Sequence, residues 1–142
     1  MYALYANTIA TAVMVGVIWF VQVVHYPLLA QFGSTQSVAV AEQHQQRTGY
    51  VVGLPMLVEG VSTLWLLART PDGVAVLLPW VNAVLLAVAL GSTVLVSVPL
   101  HAKMALAHND ETGRRLVLTN WPRTIAWTAR LALCGVMLAQ LS

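Results

Sequence analysis

Charge is what this sequence has least of. Asp, Glu, Lys and Arg make up 8% of its 142 residues, where a soluble domain carries about 25%. Two long runs, 1–41 and 73–102, contain none of the four. This scarcity excludes an ordinary water-exposed surface, because a soluble helical protein needs a charged face on most of its helices. Cysteine is nearly missing as well. The one thiol, Cys134, cannot close a disulfide within the chain, and its apolar neighbours make it a small packing residue. No repeat, low-complexity tract or linker divides the chain, so a single domain is expected.

What remains is apolar: 58% of the residues are hydrophobic. An apolar helix of roughly 20 residues crosses a hydrocarbon layer about 30 Å thick. Four stretches qualify, at about 5–29, 50–68, 74–98 and 121–141. The first is too long and too poor in basic residues for a cleaved leader. Pro27 and residues 32–35 mark its exit. The segment 38–50 is polar enough for an interfacial helix or a wet lead-in to the second crossing. RTPDG, residues 69–73, is a turn. Pro99 closes the third stretch, while Asn120 and Pro122 suit the cap and first turn of the fourth. The expected fold class is all-α: an integral membrane, antiparallel four-helix transmembrane bundle.

The few charges are unevenly placed. Arg69 stands alone beside the short turn, whereas Arg47, Lys103, Arg114, Arg115 and Arg123 belong to the two longer connectors. The positive-inside rule puts those connectors in the cytoplasm and both termini outside the cell membrane. The sequence pI near 9.0 therefore reflects membrane orientation and headgroup contact, and nucleic acid is not an expected partner. The lipid bilayer is. A second copy of the chain remains a candidate partner.

The polar groups that enter the apolar segments point to a site. His25, His44, His101 and His108 all fall at the connector end. Glu59 lies nine residues past Tyr50, about 13 Å along a helix and close to mid-bilayer. Arg130 lies seven residues past Arg123, on the same helix face and about 10 Å deeper. A lone charge at such depth costs several kcal/mol, so Glu59 and Arg130 are expected to form a buried ion pair. Asn120, Arg123, Trp127 and Arg130 make one helical stripe, with Thr124 beside it. Trp19, Gln22 and His25 or Tyr26 make another, and Thr93, Ser97 and His101 a third.

Two kinds of chemistry fit these residues. A metal or haem site would draw on His25, His44 and His101, with Glu59 as a carboxylate; no HExxH-like spacing supports it, and no cofactor is predicted. Metal-free chemistry on a lipophilic, oxygen-bearing small molecule of phenol or quinone type would use His25 and His101 as acid or base. Arg123 would hold the oxyanion with Asn120 and Arg130. Trp121, Trp127, Gln22 and Tyr26 would line that pocket. The alternative to an enzyme is a non-catalytic membrane component that binds a lipid, a small molecule, haem or metal, or another membrane protein.

Two stretches, WFVQVVHYPLLAQF and VPLHAKMALAHNDETGRRLVLTNWPRTIAWTAR, resemble a bacterial and fungal superfamily of small four-helix membrane proteins that includes the anthrone oxygenase-like proteins. Pro99, Leu100, Asn120, Arg123 and Thr124 fit its pattern at the third and fourth helices. His25, Tyr26 and Pro27 resemble its first-helix terminus, and His101 stands where that group usually has Asn. The resemblance implies a four-helix membrane fold, a cofactor-independent oxidation of a polycyclic phenol, and a site at the connector end.

Overall fold

The structure, a computed structural model, describes residues 1–29, 34–100 and 110–141, with side chains for 1–28, 43, 46–100, 111 and 114–141. Helix α1 (Tyr2–Phe20) continues through a π-helical turn (Val21–His25) into α2 (Tyr26–Leu29). Helix α3 (Ser34–Ala68) is a single rod of 35 residues. Helix α4 (Leu77–Ser92) runs into a second π-helical turn (Thr93–Ser97), and α5 (Asp110–Ala139) completes an all-α, four-helix arrangement.

Cross-helix bonds fix the directions. Asn7 near the start of α1 reaches Ser62 and Thr63 near the end of α3. Cys134 of α5 bonds Asn7, and Asn120 bonds Gln22, so α1 and α5 are also antiparallel. Asn82 beside Arg130 and Thr93 beside Arg123 set α4 against α5 in the same way. α5 packs along both α1 and α4, while α3 lies along α1 and only loosely against α4. Gly73, at φ 87°, makes the tight turn between α3 and α4. A side chain there would crowd the Gln140 carbonyl at 3.2 Å, and the Gln140 amide oxygen accepts a bond from Ala75 N.

Two boundaries differ from the sequence reading. The polar segment 38–50 is neither a loop nor a separate helix; it is the first part of α3, so it is the lead-in. α5 begins at Asp110, ten residues before the expected cap. Asn120 is thus inside the helix and fully buried, and Pro122 lies within it as well. Both segments continue as helix through Gly49 and Gly113 and merge with the apolar runs that follow.

Among the described residues three helices are long and apolar enough to cross a membrane: Tyr2–Leu28, Gln46–Ala68 and Leu77–Leu100. α5 is outside that set because Arg123 and Arg130 interrupt its apolar half. Neither faces outward: Arg130 is fully buried and Arg123 is 6% exposed.

The packing pattern is reversed from that of a water-soluble bundle. Ile9, Val13, Phe20, Val23, Leu54, Leu57, Leu64, Val84, Leu95 and Ile125 face outward, while Asn7, Thr11, Glu59, Asn82 and Asn120 are buried. The inward stripes keep the alternating 3–4 spacing of interlocking antiparallel helices. On α1 the stripe is Leu4, Asn7, Thr11, Met14, Ile18 and Val21; on α5 it is Asn120, Arg123, Trp127, Arg130, Cys134 and Met137. Trp19, assigned to an inward stripe by sequence, is instead 40% exposed and edges against Trp121 on the outside, ring centroids 6.0 Å apart.

Midway along these stripes sits the ion pair. Arg130 Nη1 donates to Glu59 Oε1 at 2.6 Å, and neither side chain has any exposed surface. Each of their other nitrogen and oxygen atoms is bonded as well. Thr11 donates to Glu59 Oε1 and Trp127 Nε1 to Oε2, while Arg130 Nε donates to Asn82 and its Nη2 to Thr63. All four long helices meet in this one network. A buried pair of this kind contributes modest net stability, but removing one partner leaves an uncompensated charge.

Glu59→Gln is therefore expected to destabilise the bundle by about 3–5 kcal/mol, read by unfolding in detergent with increasing dodecyl sulfate. Replacing both partners together, as Glu59→Met with Arg130→Met, should recover most of that loss. A single Glu59→Gln change within experimental error of the parent would contradict the role assigned to the pair.

Candidate functional site

The connector half of the bundle is built differently. Here α3 contributes Thr48, Gly49, Val52 and Met56, none of them fully buried, and a cavity of about 180 Å³ opens between the helices. Its other walls are Met14, Ile18 and Tyr26 from the first rod, Thr93 and Ser97 from the third, and Arg123 and Trp127 from α5. A dry apolar cavity of about 150 Å³ holds a benzene molecule. This one has comparable room, with one cation on its wall.

Arg123 is held in place by neutral partners. Its Nε donates to Asn120 Oδ1 at 2.9 Å, and Nη2 donates to the same oxygen and to the Tyr26 hydroxyl, the latter at 3.1 Å. Nη1 donates to Thr93 Oγ1 at 3.3 Å. Behind Asn120, Gln22 fixes the amide: its Oε1 accepts from Asn120 Nδ2 at 2.8 Å and its Nε2 donates to the Val117 carbonyl at 3.2 Å. A guanidinium has five N–H groups; these contacts use one on Nε, two on Nη2 and one on Nη1. These contacts leave one Nη1 hydrogen over, and no described carboxylate bonds to Arg123.

The π-helical turns put the partners there. A π turn spends an extra residue on one turn of helix, which rotates everything after it, and such turns are frequent at functional sites. The α1 stripe steps from Leu4 to Val21 in threes and fours, and one more such step would bring His25 inward. Because of the turn over Val21–His25, Tyr26 arrives instead, 3% exposed and bonded to Arg123. The second π turn carries Thr93 and Ser97, both on the cavity wall. Both turns thus flank the same guanidinium.

The residues singled out from sequence are distributed as follows. Arg123, Tyr26 and Trp127 line the cavity. Gln22 and Asn120 stand behind Arg123 as its supports, not on the wall. Trp121 is 41% exposed on the outer surface, because its position on α5 points away from the inward stripe. His25 is turned toward a second, more open hollow between α1 and α3 that it shares with Arg47 and Thr48. His101 and His108 lie outside the described residues, as does the His44 side chain. Among the described residues no three His, Cys, Asp or Glu side chains gather as metal ligands would.

Sequence reasoning passed over two asparagines. Asn7 donates to Ser62, Thr63 and the Glu59 carbonyl, and Asn82 joins Arg130 to Cys134. The available signal was an amide inside an uncharged run, where polar groups are costly unless they bond across helices. The apolar wall residues Met14, Ile18, Val52 and Met56 carry no such signal. Compared with known proteins, the chain matches no family model, no curated protein and no solved structure.

Proposed function

We propose that this chain is a multi-pass membrane protein that holds a small lipophilic, oxygen-bearing molecule of phenol or quinone type in the connector-end cavity. Arg123 is the group that grips the oxygen. The observation that carries this reading is a nearly buried guanidinium on the wall of an otherwise apolar cavity, braced by Asn120, Tyr26 and Thr93 and bonded to no described carboxylate. A buried cation without a counter-charge is costly, and a phenolate or polarised carbonyl oxygen would offset that cost through a charge-assisted bond. The resemblance to the anthrone oxygenase-like proteins points toward the same ligand class. No described imidazole or carboxylate lines the cavity, which favours holding the molecule over transforming it.

The apolar outer faces of all four long helices support four crossings, with α5 inserted because its arginines are satisfied inside. The excess of basic groups on the long connectors supports termini outside and connectors in the cytoplasm.

Two measurements test these readings. In detergent solution, 4-nitrophenol should ionise at lower pH when the protein is present, since a cation beside the ring oxygen stabilises the phenolate. Its absorbance reports this directly. Arg123→Gln should abolish the shift and weaken binding about 10- to 100-fold, the loss of one charged hydrogen bond; equal titration curves for parent and variant would refute the site. For orientation, reporter fusions after residue 71 and at the C-terminus should both report the outer side. A cytoplasmic signal from either would reverse the topology.

A further inference from the structure

The cavity has a neighbour. On the outer side of the α1–α3 seam a hollow of about 390 Å³ is bordered by Gly16, Val17, Phe20, Val21, Arg47, Thr48 and Val51, with His25 at its connector end. Val17, Val21 and Thr48 belong to both spaces. The partition between the hollow and the cavity is therefore one side chain thick.

The glycines along this seam argue that the gap is built open. In membrane bundles small residues at a helix interface normally let two backbones approach closely. Here a methyl group placed on Gly16, which borders the hollow, or on Gly49, which borders the cavity, would meet no heavy atom of a neighbouring element within 4 Å. Neither glycine serves close packing. Lower down the same two helices are locked together by Asn7, Thr11, Glu59, Ser62 and Thr63. A hollow of about 460 Å³ lies on the same seam in the terminal half, between Ala3 and Ala6 of α1 and Leu57 and Val61 of α3, but it shares no wall residue with the Arg123 cavity, whereas the connector-half hollow shares three.

We propose that the α1–α3 hollow is a lateral portal, through which a lipophilic molecule passes from the bilayer past Val17, Val21 and Thr48 to the Arg123 cavity. The proposal takes its cargo from the phenol- or quinone-like ligand proposed above. Phe20 and Val51 give the mouth an apolar rim continuous with the outward faces of α1 and α3. Arg47 and His25 at the connector end place a cation and an imidazole where an oxygen-bearing group would ride at headgroup level while its ring stays in hydrocarbon.

The test needs no natural ligand. Cys134 is the only thiol in the chain, so Cys134→Ser with Val52→Cys puts one reactive thiol on the cavity wall and none in the hollow. Reconstituted in phosphatidylcholine vesicles, this variant should be alkylated by bilayer-dissolved N-cyclohexylmaleimide. Gly16→Leu, which fills the hollow without touching the cavity wall, should slow that alkylation at least tenfold. Gly16→Ala should slow it little, and a Val94→Cys control on the outer face of the third rod should be unaffected by either. Equal alkylation rates with and without Gly16→Leu would overturn the portal. So would faster labelling of Val52→Cys by a charged, water-borne thiosulfonate, which would place the opening at the aqueous connector end. A failed nitrophenol titration with portal-dependent labelling would sink the ligand assignment and leave the portal standing.

Discussion

The rest of this bundle is arranged around one positive and one negative charge in its interior. Glu59 and Arg130 have no exposed surface. Each must find all its partners among side chains. The solution recruits an asparagine from α4, threonines from α1 and α3 and a tryptophan from α5. Because those partners have narrow geometric tolerance, the network fixes the helices in rotation as well as in height. A one-residue slip of any rod would strand a charge. Apolar packing alone, with lipid as apolar as leucine, supplies no comparable discrimination.

The two halves of the molecule handle cation burial in opposite ways. Around Arg130 the guanidinium meets a carboxylate, and the adjoining core of Leu4, Leu66, Val74, Cys134 and Met137 is closed. Around Arg123 the partners are neutral and the neighbouring space is hollow. The same residue type, on the same face of the same helix, is structural at one level and available at the other. The difference lies in what the opposite helices present: Glu59 of α3 stands across from Arg130, whereas Met56 and Val52, one and two turns nearer the connector, stand near Arg123.

Much of this was legible in the sequence, and the limits follow from what periodicity can encode. The α5 stripe of Asn120, Arg123, Trp127 and Arg130 could be read because 3–4 spacing persists through a regular helix. The depth argument for Glu59 and Arg130 worked because rise per residue is constant. The first-helix stripe was misread at one end and left open at the other. Trp19 is flanked by residues as apolar as itself, so nothing local marks it as outward. The choice between His25 and Tyr26 depended on a π turn, which leaves no compositional trace in VQVVH. The cap assigned to Asn120 fell inside α5 because polarity was taken for the end of a helix, when a helix can continue through polar sequence unchanged; 38–50 was left open between an interfacial helix and the lead-in that it is. Cavities are the hardest feature to foresee, since Met14, Ile18, Val52 and Met56 differ from fully packed residues only in what fails to touch them.

The paired π turns have a consequence for how this fold can vary. Each adds one residue to a turn, a rotation of roughly 100° for all that follows. The rods carrying them therefore consist of two segments out of phase, joined at the level of Arg123. Rewinding Val21–His25 as an ordinary helix of the same length would leave Leu4 through Ile18 in place and swing an imidazole to where the Tyr26 phenol now stands. The polar interior near the termini would be untouched. A change of winding, made in either rod, is thus a means of exchanging the chemistry of the pocket while keeping the frame that holds the bundle together.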